Sequence, residues 1–193
     1  MSKTIALFFG SFNPIHLGHL VIAQSVLTQN LADEIWFVIS PHNPFKSADD
    51  LLDEQARLQM VNLSIVAQPR FKSCDIEFDL PKPNYTINTL NAILEKHPNK
   101  KFKILIGEDN LVHFHLWNDY EEILEKAALL VYPRPNTPDC KLKSHAKVSM
   151  LDVPLFDISA TYIRALIQQK KSIKYLVHEA VESLIEAEGY YVF

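Results

Sequence analysis

Cysteine is nearly absent from this chain. Cys74 and Cys140 are its two cysteines, and no C-x-x-C pair occurs, which is too little for a disulfide framework. A reduced, cytoplasmic setting is the expectation. A basic excess is also missing: 19 Lys and Arg face 23 Asp and Glu, for a formal net charge of −4. That balance argues against non-specific binding to nucleic acid or to an anionic membrane, so any cations at a site must be gathered locally. No apolar run approaches the length of a membrane span, and the N-terminus has no signal-peptide pattern. Repeats, low-complexity tracts and linkers are absent too. What remains is a chain of 193 residues, 48% of them apolar. It is enough for one domain over 1–193, with a small helical portion from about residue 159.

Strand-like and helix-like stretches alternate almost to the end. Ile5, Ala6, Leu7, Phe8 and Phe9 form a short run with the apolar continuity of a buried parallel strand. Leu17, Leu20, Val21, Leu27 and Leu31 then follow at helical spacing. A strand over 34–39, a polar loop over 40–52 and a helix opening at Asp53, with Leu58, Val61 and Ile65 inward, come next. A less apolar third strand over 71–79 belongs nearer a sheet edge. Thr86 is expected to cap a helix bearing Ile87, Leu90, Ile93 and Leu94. "FKILIG" and "ALLVYP" read as strands four and five, separated by a short helix with Tyr120, Ile123 and Leu124. A surface loop over 134–147, a short strand over 148–153 and two helices complete the pattern, one opening at Ser159 and one near Tyr175, the latter stopped by Gly189.

Such alternation implies a doubly wound, Rossmann-like α/β fold: a parallel sheet with helices on both faces. Ligands then bind beyond the carboxyl ends of the strands, where strand order reverses. For the order 3-2-1-4-5 this point lies between strand one, ending in Gly10-Ser11-Phe12, and strand four, ending in Gly107-Glu108-Asp109.

The first of these ends is the most informative. In "LFFGSFNPIHLGHLVIAQ" a short loop joins strand to helix, and His16 and His19 stand three apart at the helix start, on one side. Gly18 leaves room where something must approach the backbone closely, and Pro14 stiffens the loop. Free helix amides beside donor imidazoles suit an anion such as phosphate. A zinc-chelating pair and a plain surface pair are the alternatives; no third metal ligand is evident nearby.

The run G-S-F-N-P-x-H-x-G-H at 10–19 resembles the signature of HxGH nucleotidyltransferases. "NYTINTL" at 84–90, "ILIGEDNL" at 104–111, "LWNDYEEIL" at 116–124, "VYPRP" at 131–135 and "DISATYIR" at 157–164 resemble bacterial nicotinate-mononucleotide adenylyltransferases in order, over nearly the whole chain. The chain departs from the family pattern at Asn13, where many members carry aspartate, and at Phe9, where many carry a second glycine. Asn13 keeps a polar side chain but not the charge, so loop brace and ligand contact both stay open for it.

The resemblance implies that ATP and nicotinate mononucleotide combine to give deamido-NAD and pyrophosphate, with Mg²⁺ carried on the ATP phosphates. It implies catalytic roles for His16, His19, Lys46 and Arg164. ATP is expected to meet Gly10, Ser11, Phe12, Gly18, Gly107, Asp109, Ser159, Thr161 and Arg164. The mononucleotide is expected to meet Asn13, Tyr85, Thr86 and Trp117. Ser159 is also the expected cap of its helix, Asp109 a candidate cap of the helix after strand four, and Lys46 and Trp117 are residues that could equally be solvated or core. No protein-held metal, nucleic acid or membrane partner is expected, and a homo-oligomer is left open. Phosphopantetheine adenylyltransferase shares the first motif and the chemistry and is the nearer alternative; a non-catalytic nucleotide-binding protein is the more distant one.

Overall fold

A computed structural model of the chain describes residues 2–41, 51–155 and 157–192. In chain order it forms β1 (Thr4–Gly10), α1 (Leu17–Thr28), β2 (Glu34–Ile39), α2 (Glu54–Ile65), β3 (Phe71–Cys74), α3 (Thr86–Lys96) and β4 (Lys101–Gly107). These are followed by α4 (Glu108–Val112), α5 (Tyr120–Lys126), β5 (Ala128–Tyr132), β6 (Val148–Met150), α6 (Ala160–Gln168) and α7 (Glu179–Glu188). The sheet order is β3-β2-β1-β4-β5-β6, and every pairing is parallel. It is the expected 3-2-1-4-5 order with one more strand at the β5 edge.

The apolar runs read as they do because both faces of the sheet are covered. Ala6 and Phe8 of β1, with Ile35 and Phe37 of β2, turn to one face and pack with α1, α2, α6 and α7. Ile5, Leu7, Trp36 and Val38 turn to the other and pack with α3 and α5. Each buried Leu or Ile side chain is worth about 1.5–3 kcal/mol over an exposed one, so a strand apolar on both sides belongs inside.

Several local expectations are corrected. The third strand stops at Cys74, not at residue 79; β2 itself ends at Ile39, so the chain beyond has no ladder to join and 76–79 coil into a 3₁₀ turn. The sixth strand spans only Val148–Met150. Tyr85, not Thr86, is the N-cap of α3, and Thr86 is its first helical residue. The last helix begins at Glu179 behind His178, whose Nδ1 accepts from the Ala180 amide at 3.2 Å; Tyr175, at φ 65°, lies outside any helix. Gly189 stops that helix at φ 64°, as expected.

Helix α1 is also turned from the expected face. It buries Gly18, Ile22, Ala23, Val26 and Leu27, while Leu17, Leu20 and Val21 are only partly covered. The helix is apolar on nearly every side, so spacing alone could not choose its rotation.

Candidate active site

A cavity of about 750 Å³ opens at the carboxyl ends of β1, β4 and β5. It lies between β1 and β4, the strand-order reversal that the doubly wound pattern singles out. A shallower groove of about 700 Å³ runs along the outside of α1 past Leu17, Leu20, Val21 and Phe71. That groove is lined mostly by apolar atoms, and the first cavity is the candidate site.

The end of β1, the loop after it and the first turn of α1 supply Gly10, Ser11, Phe12, Asn13, His16 and His19 to the cavity wall. His16 and His19 stack with ring centroids 3.6 Å apart and planes 26° apart. The Nδ1 of His19 accepts from the His16 backbone amide at 3.2 Å, which puts the proton of the neutral ring on Nε2. The edges of Phe8 and Phe12 wall the His19 ring at 5.8 and 5.1 Å. His16 is 5% exposed. Burial, and then the charge of Arg134, pull its pKa down to about 4, so it is neutral at neutral pH. Its Nδ1 is buried and has no hydrogen-bond partner among the described residues. Two stacked imidazolium rings would repel, and burial avoids that by keeping one neutral.

Gly18 is not part of the cavity wall. A Cβ there would stand 3.0 Å from Nδ1 of His16, so the close approach expected at this glycine is made by the His16 ring itself.

At the end of β4, Gly107 is the N-cap of α4 and Asp109 lies in that helix's first turn, so Asp109 is not the cap. A Cβ on Gly107 would overlap the Asp109 carboxylate and press on the Tyr132 ring at 3.2 Å. Asp109 meets Nε of Arg134 at 3.8 Å, and Arg134 also donates to the Tyr132 hydroxyl at 3.3 Å. Glu108 is buried just behind: one carboxylate oxygen pairs with Lys143 at 2.6 Å and the other accepts from the Arg134 amide at 3.2 Å. Glu108 thus ties the long loop after β5 to the cavity rim.

Tyr85 and Thr86 at the start of α3 border the cavity from another side, as does Trp117, which is half-buried and packs on Phe114 at 5.0 Å. From α6 come Ser159, Thr161 and Arg164. Ser159 caps the helix as expected, accepting from the Tyr162 amide at 3.1 Å. Arg164 donates to the Asn13 carbonyl at 2.9 Å. The side chain of Asn13 accepts at Oδ1 from the Tyr191 hydroxyl at 2.9 Å and from the Leu52 amide at 3.2 Å. Lys46 lies outside the described residues. Among the described residues, no group of three or more His, Cys, Asp or Glu is placed to hold a metal ion.

Four residues near the cavity went unread in the sequence. Arg134 stands inside "VYPRP", directly after a buried strand, which is a signal for a strand-end side chain. Arg57 shares the buried helical stripe of Met60, Val61 and Ser64, and a charge on such a stripe is itself a cue. Glu77 and Asn84 are buried at the cavity wall, where Asn84 donates to the Glu77 carbonyl at 3.0 Å and Thr89 to the Glu77 carboxylate at 2.8 Å. Burial pushes the Glu77 carboxyl upward. Neither residue has a chain-local pattern that announces this.

Comparison with known proteins bears on this arrangement. The cytidylyltransferase-like family matches residues 7–166. A probable nicotinate-nucleotide adenylyltransferase of Cytophaga hutchinsonii is 50% identical over 187 residues, 97% of each chain. One of Flavobacterium psychrophilum with the same description is 44% identical, covering 97% of this chain and 98% of its own. In fold, the chain is similar to a Plasmodium falciparum nicotinic acid mononucleotide adenylyltransferase solved in complex with NaAD. The TM-score is 0.82 at 22% identity, over 98% of this chain and 97% of that one.

Proposed function

The chain belongs to the nicotinate-nucleotide adenylyltransferases of the cytidylyltransferase-like family, and from that premise we propose how its residues divide the reaction. The enzyme joins ATP and nicotinate mononucleotide to give nicotinate adenine dinucleotide (deamido-NAD) and pyrophosphate. The attacking group is the phosphate of the mononucleotide, whose second pKa near 6 leaves it mostly ionised at neutral pH. No protein base and no covalent intermediate is then required. The protein's task is in-line positioning and cover for negative charge.

ATP enters as its Mg²⁺ complex, the metal being carried by the triphosphate. His19 presents Nε2–H and His16 a neutral ring, so both serve as hydrogen-bond donors to phosphate oxygen and neither as a proton shuttle. Arg164 supplies positive charge on the triphosphate side, together with the open amides of α6 beside Ser159 and Thr161. Lys46 keeps the same assignment from its sequence position. Asp109 accepts from the adenosine ribose hydroxyls, and Gly107 leaves the room its carboxylate needs. Tyr85 and Thr86 face the pyridine carboxylate with the first amides of α3, and Trp117 holds the ring. Asn13, engaged by Tyr191 and Leu52, serves as a brace. Cys74 and Cys140 are free thiols, which supports a reduced, cytoplasmic setting.

The observation that carries this reading is that residues assigned to two different substrates border one cavity. The test is pyrophosphate release from ATP and Mg²⁺ with nicotinate mononucleotide, its amide analogue or phosphopantetheine as acceptor. Release with the acid mononucleotide is expected to dominate. Release with phosphopantetheine instead, or with none of the three, overturns the reading.

A further inference from the structure

A loop that joins a buried strand to a helix leaves backbone carbonyls that must find donors. In the β1–α1 loop those donors come from far along the chain. Arg57 of α2 is fully buried, and its fork donates to four carbonyls: Leu52 at 2.8 Å, Ser11 at 2.6 Å, Ser40 at 2.8 Å and Pro41 at 3.1 Å. No carboxylate among the described residues forms an ion pair with it. Tyr191, beyond the end of α7, is 2% exposed, and its hydroxyl donates to Oδ1 of Asn13. Burial holds that phenol well above its ordinary pKa, so it remains a donor. Asn13 in turn offers its carbonyl to Arg164.

These bonds form one chain of support. Arg57 fixes Ser11 and the end of β2; Tyr191 and the Leu52 amide fix the Asn13 side chain from two sides; the Asn13 carbonyl then fixes the guanidinium of Arg164. We propose that Tyr191 and Arg57 are positioning residues for the triphosphate end of the cavity, acting through Asn13 on Arg164. The inference rests on the assignment of Arg164 to the triphosphate. It makes the chain's last residues part of the active-site framework, since Tyr191 stands 178 positions from its partner Asn13. A long arginine held in one geometry before substrate arrives loses less rotamer freedom on binding.

The decisive variant is Tyr191→Phe, which keeps the buried ring and removes only the hydroxyl. We expect its KM for ATP to rise about five- to tenfold, the scale of one hydrogen bond, with KM for the mononucleotide unchanged. Arg57→Lys keeps the charge but loses the fork and is expected to give the same one-sided defect, larger. Since both effects pass through Asn13, Tyr191→Phe added to Asn13→Ala should worsen ATP handling no further than Asn13→Ala alone. A merely structural role would lower thermal stability and handling of both substrates together. An unchanged KM for ATP in Tyr191→Phe, equal losses on both substrates, or multiplying losses in the double variant would each overturn the inference. Arg164→Ala is run in parallel. If it damages ATP handling while Tyr191→Phe does not, the inference fails and the assignment of Arg164 stands; if Arg164→Ala leaves ATP handling intact, the assignment fails and takes the inference with it.

Discussion

The loop after β1 and the first turn of α4, after β4, meet at one cavity yet are held in opposite ways. The loop after β1 is dry: Phe12, Asn13 and His16 are at most 5% exposed, and the buried Arg57 and Tyr191 support it by hydrogen bonds to single acceptor atoms. The turn after β4 is wet at its tip, where Asp109 of α4 keeps a side chain 57% exposed and meets a 30% exposed Arg134 at 3.8 Å. Buried donors left unmade are costly, whereas exposed ion pairs contribute little. Substitutions in the first loop should therefore change catalysis and stability steeply. Those at the tip of the second should change binding and leave the fold alone.

The steepest effect is expected at His19. Its ring is stacked on His16 and walled by Phe8 and Phe12, so its donor is set before the substrate arrives. His19→Ala should lower kcat by roughly 10²–10³, the loss seen when one preorganised donor to developing charge is removed. Circular dichroism should find the protein folded. A folded His19→Ala enzyme with near-normal turnover would end the comparison, because the ring set in place by Phe8, Phe12 and His16 would then be no catalytic donor.

His16 extends the contrast to pH. Its pKa falls from 6.5 free to about 4 in the fold because burial disfavours the charged ring. As pH drops below 6.5 the unfolded chain takes up this proton first, so stability is full above 6.5 and is lost progressively down to about 4. At about 1.36 kcal/mol per pKa unit the loss reaches on the order of 3 kcal/mol. Denaturant titrations of the wild type and His16→Gln between pH 7 and 4 should diverge by that amount, with the wild type falling faster. Parallel curves would mean that the first loop is not dry.

How much of this was legible follows from the same contrast. The sheet could be read because strands covered on both faces are apolar throughout, and its reversal point then located the cavity. Ser159 and the His16–His19 pair could be read because caps and one-turn pairs have fixed spacing. The rotation of α1 could not, since Leu17, Leu20 and Val21 are as apolar as Ile22, Val26 and Leu27. Nor could the end of the third strand, which depends on where β2 stops. Arg57 and Tyr191 were missed for a further reason: they work on backbone carbonyls or on one amide oxygen far away in sequence, and such partners leave no motif.

Selectivity between acid and amide mononucleotides probes the α3 side of the cavity. The amides at the start of α3 have no intrahelical acceptor and lie at the positive end of the helix dipole, where a carboxylate gains about 0.3–1 kcal/mol, or about 2 when partly buried. The carboxamide turns N–H donors toward N–H donors, leaving groups unpaired at about 1–3 kcal/mol. With Trp117 bordering the same space, kcat/KM should favour the acid by roughly tenfold to a few hundredfold. Equal values, or a preference for the amide, would remove α3 from the recognition of this group.

The smallest effect is expected at the wet tip, and it is the one that isolates the comparison. Asp109→Asn keeps the size of the side chain and a hydrogen-bond acceptor but removes the charge that faces Arg134. The pair is long at 3.8 Å and Asp109 is open to solvent, and although the Nε of Arg134 is buried, its guanidinium keeps the bond to the Tyr132 hydroxyl when the charge goes. Pairs of this kind contribute about 0–1 kcal/mol, and for a chain of this length that moves Tm by no more than about 2–4 °C. Glu108 is the control, because it is buried and bonded to both Lys143 and the Arg134 backbone. Glu108→Gln removes the buried anion itself and leaves Lys143 with the exposed Asp139 at 3.1 Å, so it should lower Tm further than Asp109→Asn does. Thermal melts of the two variants side by side decide the matter. If Asp109→Asn is the more damaging, charge at the tip supports the fold, and the division between a dry, braced loop and a wet, ligand-facing one is wrong.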